Sequence, residues 1–255
     1  MLISVSPKLG LLNNIGIKLY SKFFYKERTV RNVPVIINNF NRYTCLLNLV
    51  NALEKSGINN IYIIDNCSTY PRLMEYYRKT KHIVFRLNKN IGHLSLWETH
   101  IFKLFKKDYY VYTDPDIIPI DECPSIFIDY FKSILDNYPE YDKVGFGLKI
   151  DDLPDYYNLK KEVVNWEKQY WEREIAPQLY DAKIDTTFAL YRPGKAGGAE
   201  LRALRTGFPY IARHVPWYLD ADNLPEEEIY YLEHANISSS WYKRVTKEGK
   251  YELTK

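Results

Sequence analysis

The two carboxylates of Asp114-Pro115-Asp116 are the residues of this chain with the most direct chemistry. The motif follows residues 108–113, an aromatic and β-branched run that predicts a buried strand. Pro115 fixes its own φ and favours an extended conformation at Asp114. Side chains two residues apart in an extended segment point to the same side, where two carboxylates repel unless a cation or a ligand's donors satisfy them. The motif therefore predicts either a site for Mg²⁺ or Mn²⁺ with positions open for phosphate oxygens, or an ordinary surface loop.

Alternating strand and helix patterns surround this motif. Apolar and β-branched runs predict strands, and apolar residues at helical spacing predict the helices between them. The predicted strands cover residues 33–38, 61–65, 83–87 and 109–113, and the predicted helices cover residues 44–55, 71–79 and 94–106. Such alternation with short connections predicts an α/β fold with a mostly parallel central sheet flanked by helices.

A polar segment follows each of the four predicted strands. These segments are residues 39–43, 65–69, 88–93 and 114–116. Ligands of open parallel sheets bind beyond the carboxyl ends of the strands. The sequence therefore predicts a binding site formed by the four segments together.

The pattern after residue 116 is less regular. It predicts a helix over residues 125–137, a strand over 144–150, a short helix or aromatic loop over 165–171 and a strand over 186–191. Residues 192–207 are predicted to form a glycine-containing loop with a helical piece. We expect one domain over residues 1–255, in which residues 33–120 and 121–255 form two functionally different halves.

The charge of the chain is nearly balanced overall and uneven along its length. Its 35 Lys and Arg against 32 Asp and Glu give +3, which does not support a nucleic-acid partner. Residues 1–32 hold six basic residues and one acidic residue, so this segment carries 6 − 1 = +5 and the remainder 3 − 5 = −2. Residues 9–24 interleave apolar residues with Lys, which predicts either peripheral contact with an anionic membrane or packing on the domain.

Cysteine usage and hydropathy indicate the compartment. Three cysteines, an odd number without metal-ligand spacing, are typical of core thiols in a reducing environment. No stretch approaches the roughly 20 apolar residues of a membrane span, and the first residues lack the uninterrupted apolar run of a signal peptide. We expect a cytoplasmic protein that associates, if at all, with the cytoplasmic face of a membrane.

Four motifs carry a resemblance to a known family. They are Pro34-Val-Ile-Ile-Asn-Asn-Phe-Asn-Arg42, Ile63-Ile-Asp-Asn-Cys-Ser-Thr69, Asn88-Lys-Asn-Ile-Gly92 and Asp114-Pro-Asp116. In this order and spacing they resemble the nucleotide-binding half of GT-A fold glycosyltransferases, especially the family 2-like enzymes of the nucleotide-diphospho-sugar transferase superfamily. The resemblance covers roughly residues 33–120 well and the rest loosely.

The resemblance assigns a role to each matching residue. Asn38 to Arg42 would line the base and ribose of the donor, Asp65 would bond the base or ribose, and Asp116 would hold the metal on the diphosphate. The implied donor-binding residues are Asn38, Asn39, Phe40, Asn41, Arg42, Asp65, Asn66, Asn88, Asn90, Gly92 and Asp114. The implied metal ligands are Asp116, His214 and Asp114, and Asp185 is the implied catalytic carboxylate.

The activity implied by the resemblance is transfer of a sugar from a nucleotide-diphosphate donor to a hydroxyl of a glycan or lipid-linked glycan acceptor. We expect a UDP-sugar donor, Mn²⁺ or Mg²⁺ as cofactor, an inverting mechanism, and a place in cell-surface polysaccharide or glycolipid synthesis. The chain departs from the family pattern at Asn66 and Cys67, where a second Asp and a Gly are usual. It also lacks the later Glu-Asp pair and the Gln-x-x-Arg-Trp motif, which argues against a polysaccharide synthase.

Other interpretations of the same residues remain open. A sugar-phosphate nucleotidyltransferase would use a similar sheet and metal but a glycine-rich first loop, where this chain has residues 38–41. An aspartyl phosphotransferase would use its first Asp as nucleophile, usually on the first strand. A non-catalytic sugar- or partner-binding protein could have the same fold.

Individual residues also have two interpretations each. Asp185 is either a catalytic base or a turn carboxylate, and His214 is either a metal ligand or a hydrogen-bonded structural residue. The basic residues between Arg192 and Arg205 would either clamp a pyrophosphate or a phosphorylated acceptor, or belong to a solvated loop.

Overall fold

The computed structural model describes residues 1–5, 32–235, 243–245 and 251–253. The segment predicted to contact a membrane, residues 9–24, therefore lies outside the described residues. None of the helices in the described ranges has the length and apolar character needed to cross a membrane.

Five parallel strands form one side of the central sheet. They are β1 (Leu2–Val5), β2 (Val35–Asn39), β3 (Ile61–Asp65), β4 (Ile83–Leu87) and β5 (Tyr110–Thr113), in the spatial order β1-β4-β3-β2-β5. The helices that connect them are α1 (Tyr43–Lys55), α2 (Pro71–Lys79) and the short α3 (Phe102–Phe105). This half confirms the predicted α/β class, and the predicted bounds of β3, β4 and α2 are those observed.

Burial on both faces explains why these strands form. Every residue of β2, β3 and β5 is buried, as expected of a parallel sheet covered by helices on both sides. Helix α1 contributes Leu46, Leu49 and Leu53, which recur at helical spacing and are fully buried. Each such leucine stabilises the fold by about 1.5–3 kcal/mol relative to an exposed one.

The predicted helix over residues 94–106 is wrong over most of its length. Residues 94–101 form a series of turns, and only Phe102–Phe105 is helical. The side chains of this segment bond elsewhere, because Ser95 Oγ donates to Asn38 Oδ1 at 2.7 Å and Thr99 Oγ1 donates to the Ser95 carbonyl at 2.9 Å. Such side-chain bonds offer the chain an alternative to a regular helix.

The second half extends the same sheet with mixed directions. Its elements are β6 (Ile117–Pro119), α4 (Phe127–Asn137), β7 (Lys143–Leu148), α5 (Lys160–Glu167), β8 (Glu174–Ala176), β9 (Leu179–Asp181), β10 (Ala189–Tyr191), β11 (Ala203–His214) and α6 (Glu226–His234). Short 3₁₀ helices follow α5 at Lys168–Trp171 and β11 at Val215–Tyr218. The sheet continues from β5 in the order β10-β7-β11-β9-β8, and β6 pairs with β11. The strands β12 (Lys243–Val245) and β13 (Tyr251–Leu253) form a separate hairpin.

Three predicted elements of this half differ from those observed. The short helix or loop predicted over residues 165–171 is preceded by helix α5, which already begins at Lys160. The strand predicted over residues 186–191 is limited to Ala189–Tyr191, and it runs antiparallel to both of its neighbours, β5 and β7. Gly145 of β7 permits this close pairing, since a Cβ built there would lie 2.1 Å from the Phe188 carbonyl oxygen. The loop predicted over residues 192–207 ends earlier, because the twelve-residue strand β11 already begins at Ala203, and residues 192–202 contain no helix.

Candidate functional site

The carboxyl ends of β2, β3, β4 and β5 meet along one edge of the sheet. All four strands are parallel, and Asn39 of β2 lies in register with Asp65 of β3. Asp114 and Asp116 follow β5 at the same edge. The structure therefore confirms that the polar segments predicted after the strands are brought together.

Strand pairing places His214 beside Asp116. In the β6–β11 pair, His214 lies opposite Ile117, the residue after Asp116, and the Val215 amide donates to the Asp116 carbonyl at 2.9 Å. His214 Nε2 is then 3.6 Å from Asp116 Oδ2. Although 98 residues separate the two in sequence (214 − 116), the sheet makes them neighbours.

The environment keeps this histidine neutral. Burial lowers the pKa of His214 to about 4, and the opposing effect of the Asp116 carboxylate is smaller. A neutral imidazole has a lone pair available for a cation. His214 Nδ1 and Asp116 Oδ1 are both buried and have no hydrogen-bond partner among the described residues. The pair therefore offers unused ligand atoms of the kinds that Mn²⁺ accepts.

Asp114 is engaged differently. Its Oδ2 accepts a hydrogen bond from Thr186 Oγ1 at 2.7 Å. Burial, reinforced by the nearby Asp116 carboxylate, raises the pKa of Asp114. Over the ranges that the structure describes, no group of three or more His, Cys, Asp or Glu residues is placed to hold a metal ion. Of the three metal ligands that the resemblance implies, Asp116 and His214 lie close together. The third, Asp114, is hydrogen-bonded to Thr186 instead.

Arg42 is the main partner of Asp116. Its guanidinium donates through Nη1 to Asp116 Oδ2 and through Nη2 to Glu228 Oε1, each at 2.7 Å. The guanidinium carbon lies 4.0 Å from the centre of the Tyr231 ring. Arg42 is buried, so its charge is balanced by two carboxylates rather than by water. Sequence reasoning assigned Arg42 to the base and ribose and did not identify Glu228.

Helix α6 lies over the first two strand ends of this edge. The Glu227 carboxylate accepts hydrogen bonds from the Thr44 amide at 2.8 Å and from Thr44 Oγ1 at 2.7 Å, and so caps the N-terminus of α1. Tyr230 Oη lies 2.9 Å from Thr69 Oγ1, after β3. Helix α6, to which the sequence analysis assigned no role, therefore supplies three side chains to the edge, from Glu227, Glu228 and Tyr230.

The asparagines at the end of β2 and just after it form hydrogen bonds with neighbouring segments. Asn41, at φ +51°, accepts hydrogen bonds from the amides of Thr69 at 2.7 Å and Tyr70 at 3.0 Å. Asn38 accepts from Ser95, and Asn39 Nδ2 donates to Tyr77 Oη at 2.9 Å. Phe40 is half-buried. These side chains hold the edge together around any ligand.

Asp65 and Asn66 are likewise bonded within the protein. The Asp65 carboxylate accepts from the Ser68 amide at 3.2 Å and lies 3.3 Å from Arg86 Nε, and burial raises its pKa. Asn66 Nδ2 donates to the Gly92 carbonyl at 2.6 Å.

The loop after β4 contains Asn88, Asn90 and Gly92, three of the residues that the resemblance assigned to the donor. Gly92 has φ +87°, which favours glycine. Its amide donates to Asn90 Oδ1 at 2.9 Å, and Asn88 is exposed. Asn66 Oδ1 accepts a hydrogen bond from the Ile91 amide at 2.8 Å, while its Nδ2 donates to the Gly92 carbonyl. The Asn66 side chain therefore binds this loop through both its oxygen and its nitrogen.

Asp185 is placed near the Asp-Pro-Asp motif because the next residue, Thr186, binds Asp114. Asp185 itself is exposed. The Asp114 amide also donates to the Thr186 carbonyl at 3.2 Å. The segment between β9 and β10 thereby presents an exposed carboxylate close to the edge.

The basic residues between Arg192 and Arg205 have protein partners. Arg192 donates to the carbonyls of Leu135 and Tyr141, the latter at 2.7 Å. Arg205 is paired with the buried Glu167 at 2.8 Å, and Lys195 with Asp142 at 2.7 Å. These contacts do not support the pyrophosphate-clamp interpretation.

Comparison with known proteins gave matches among solved structures only. No protein-family model and no curated protein sequence matched. The chain is similar to a mannosyltransferase from Pyrobaculum calidifontis in complex with GDP-Man and Mn²⁺, at 12% identity and a TM-score of 0.47, over 87% of this chain and 67% of that one.

Two structures of glucosyl-3-phosphoglycerate synthase from Mycobacterium tuberculosis also match. The complex with phosphoglyceric acid is 12% identical with a TM-score of 0.39, over 75% of this chain and 64% of that one. The complex with Mn²⁺ and UDP-glucose is 11% identical with a TM-score of 0.38, over 74% and 64%. This chain thus spans about two thirds of the length of its structural neighbours. Because every TM-score is below 0.5, the function proposed for this chain rests on its own residues.

Proposed function

We propose that this protein is a metal-dependent glycosyltransferase of GT-A fold. It moves a sugar from a nucleotide-diphosphate donor, with a UDP-sugar favoured, to a hydroxyl of a glycan acceptor in cell-surface polysaccharide or glycolipid synthesis. The observation that carries the proposal is the Asp116–His214 pair, whose buried, unpartnered ligand atoms lie at the carboxyl edge of a parallel sheet.

The residues present fit a divalent cation held by two protein ligands. Asp116 supplies a carboxylate oxygen and His214 a neutral nitrogen, and a cation of this class takes its remaining ligands from water and the donor phosphates. Bound there, Mn²⁺ or Mg²⁺ supplies the positive charge that stabilises the leaving diphosphate. Arg42 occupies Asp116 Oδ2 and leaves Oδ1 for the cation.

A cavity beside Asp65 supports the donor assignment. Its volume is about 230 Å³, and it is lined by Leu2, Thr69, Met74, Tyr77, Arg78 and Arg86. Tyr77 and Arg86 both contact Asp65, the residue assigned to the base or ribose. Its lining combines two apolar residues, Leu2 and Met74, with four residues that carry hydrogen-bonding groups.

The exposed carboxylate of Asp185 suits a general base. In an inverting transfer it would accept the proton of the acceptor hydroxyl as that oxygen attacks the sugar. The hydrogen bond from Thr186 to Asp114 ties this segment to the donor side, so acceptor and donor groups are held at one edge.

The test combines nucleotide binding with a matched pair of variants. UDP, GDP, CMP and ADP are each added with and without Mn²⁺ in a thermal-shift assay. Ligand at about ten times Kd should stabilise the protein by roughly 1.4 kcal/mol, which is on the order of 3–5 °C. We expect one nucleotide, UDP first, to shift the melting temperature only when Mn²⁺ is present.

The matched variants are Asp116→Asn and Glu228→Gln, because each removes one of the two carboxylates bound to Arg42. We expect D116N to lose the Mn²⁺-dependent shift and turnover, while E228Q keeps both. Equal behaviour of the two variants would show that Asp116 acts only as a partner of Arg42.

A non-catalytic sugar-binding protein is the second candidate. Helix α6 contacts Arg42 and Thr44 through Glu228 and Glu227 and so covers part of the edge with protein groups. This covering favours the binding-protein interpretation. This candidate predicts that a free sugar raises the melting temperature without any nucleotide. It also predicts no turnover of UDP-glucose or GDP-mannose.

A further inference from the structure

Lys143 is a buried cation beside the acceptor side of the edge. It is the first residue of β7 and is completely shielded from solvent. Its Nζ donates to the carbonyls of Ile184 at 2.6 Å, Gly198 at 2.9 Å and Asp185 at 3.0 Å. Tyr191 Oη is a fourth neighbour at 3.2 Å.

The partners of this amine are unusual for a buried lysine. Three of them are backbone carbonyls and one is a phenol, and among the described residues no carboxylate contacts Nζ directly. The charged groups that act on it from the surrounding elements are Asp185, Arg205 and Asp142. Burial outweighs them and lowers the pKa of Lys143 to about 7. Burying such a group is unfavourable unless its hydrogen bonds are satisfied.

The carbonyls bound by Lys143 belong to two separate loops. Ile184 and Asp185 lie between β9 and β10, and Gly198 lies between β10 and β11. The loops are also in contact through their other atoms, since a Cβ built on Gly198 would lie 2.8 Å from Asp185 Oδ1. The Lys143 amine therefore joins the two loops at the point where the Asp185 carboxylate lies against Gly198.

The loop that contains Asp185 is thus fixed on both sides. Lys143 holds the carbonyls of Ile184 and Asp185, and Asp114 holds the next residue through the Thr186 hydroxyl. The carboxylate between these two anchors has little freedom to shift relative to the Asp-Pro-Asp motif. Displacements of about 1 Å at a reacting group reduce rates on the order of 10²-fold.

We propose that Lys143 is a positioning residue: it joins the loops of Ile184 and Gly198 so that the Asp185 carboxylate is held in place to act on the acceptor. This inference rests on the proposed glycosyltransferase function for its catalytic consequence. The joining of the two loops is a property of the chain that is measured without turnover.

Arg192 provides a matched control. It also binds backbone carbonyls, those of Leu135, Tyr138 and Tyr141, from just beyond β10. None of these carbonyls belongs to the loops held by Lys143. Arg192→Met therefore removes a comparable cation–carbonyl contact without touching Asp185.

The experiment measures Mn²⁺-dependent hydrolysis of UDP-glucose and GDP-mannose by the wild type, K143M and R192M. Water replaces the acceptor hydroxyl in this reaction, so the Asp185 carboxylate would take the proton of the attacking water as it would take that of the acceptor. We expect K143M to lower kcat on the order of 10²-fold with the donor KM unchanged, and R192M to leave both constants unchanged. A kcat for K143M that falls no further than that of R192M would overturn the inference.

Hydrogen exchange of the same three proteins separates this inference from the proposed function. We expect amides of residues 183–187 and 196–200 to exchange faster in K143M than in R192M, with residues 39–42 unaffected. If the wild type turns over neither donor but these loops are released in K143M, the joining of the loops stands and its catalytic consequence for these donors fails. Unchanged exchange in both loops of K143M overturns the inference whatever the turnover.

Discussion

Arg42 and Lys143 are both buried cations, but the first is surrounded by carboxylates and the second by neutral groups. Arg42 donates to Asp116 and to Glu228, which come from the turn after β5 and from α6. Lys143 donates to three carbonyls in two loops of the second half and lies near the phenol of Tyr191, the last residue of β10. The part of the edge around Asp116 is therefore held by balanced charge, and the part around Asp185 by an amine whose neighbours are dipoles.

The difference determines how each side responds to pH and to mutation. A buried ion pair is strongly destabilised when one partner is removed, because the other is left as an uncompensated charge. A buried lysine without a carboxylate partner instead lowers its pKa and releases its proton more easily. The first arrangement should be sensitive to substitution, and the second to pH.

The largest expected effect is that of Arg42→Met. The substitution leaves Asp116 and Glu228 buried with no cation, and we expect a loss of about 3–5 kcal/mol in the free energy of unfolding. Urea denaturation at neutral pH measures it. The control is Arg213→Met, which removes the half-exposed pair of Arg213 with Asp152 and should cost about 0–1 kcal/mol. Equal losses in R42M and R213M would show that burial of the Arg42 pair has no special effect.

An intermediate effect is expected for Lys143→Met, and it depends on pH. The folded pKa of about 7 lies below the usual value of 10.5, so below pH 7 lysine is charged in both states and the full cost of burying it is present. Between the two values the unfolded state binds more protons, and wild-type stability therefore rises with pH, by at most about 1.4 kcal/mol per unit. K143M lacks this gain.

The measurement for Lys143 is the difference in unfolding free energy between wild type and K143M at pH 6 and pH 9. We expect the difference to grow in favour of the wild type as pH increases. A constant difference would mean that Lys143 keeps its proton in the folded protein and that the contrast with Arg42 is wrong.

The smallest expected effect is that of Glu227→Gln at the N-terminus of α1. The amide retains one acceptor oxygen for Thr44 but loses the negative charge at the helix end, so we expect a loss of about 1 kcal/mol. Glu226→Gln is the control, because Glu226 is exposed in the same turn of α6. Thermal denaturation of the two variants separates capping of α1 from charge effects within α6. A loss in E226Q as large as in E227Q would assign the effect to α6 itself.

The regular half of the fold could be predicted because its signals are local. Strands β3 and β4 are apolar runs bounded by polar residues, and Pro71 marks the start of α2. The helix predicted over residues 94–106 failed because Ser95 and Thr99 use their hydroxyls in bonds that periodicity does not reveal. In the second half, strands of three residues such as β8, β9 and β10 are too short to show a period.

The sequence predicted what kind of site this is and several of its residues, but not the contacts that those residues make. Asp116 and His214 were proposed as partners from a resemblance, and strand pairing brings them to 3.6 Å. The partners of Arg42 and Lys143 could not be predicted, since they depend on which distant segments the sheet brings together. No spacing rule relates Arg42 to Glu228 or Lys143 to Gly198, because the contacts arise from tertiary packing.

The contact between Arg42 and Glu228 also has a consequence for synthesis of the chain. The two residues are 186 positions apart, whereas Asp116 follows Arg42 by 74. At roughly 5–20 residues per second, Glu228 is made on the order of 10–40 s after Arg42. In the part of that interval after Asp116 is made, a nascent chain has one of the two carboxylates of Arg42 and lacks the Glu227 cap of α1. The buried pair of Arg42 with Glu228 can therefore form only after α6 has been made.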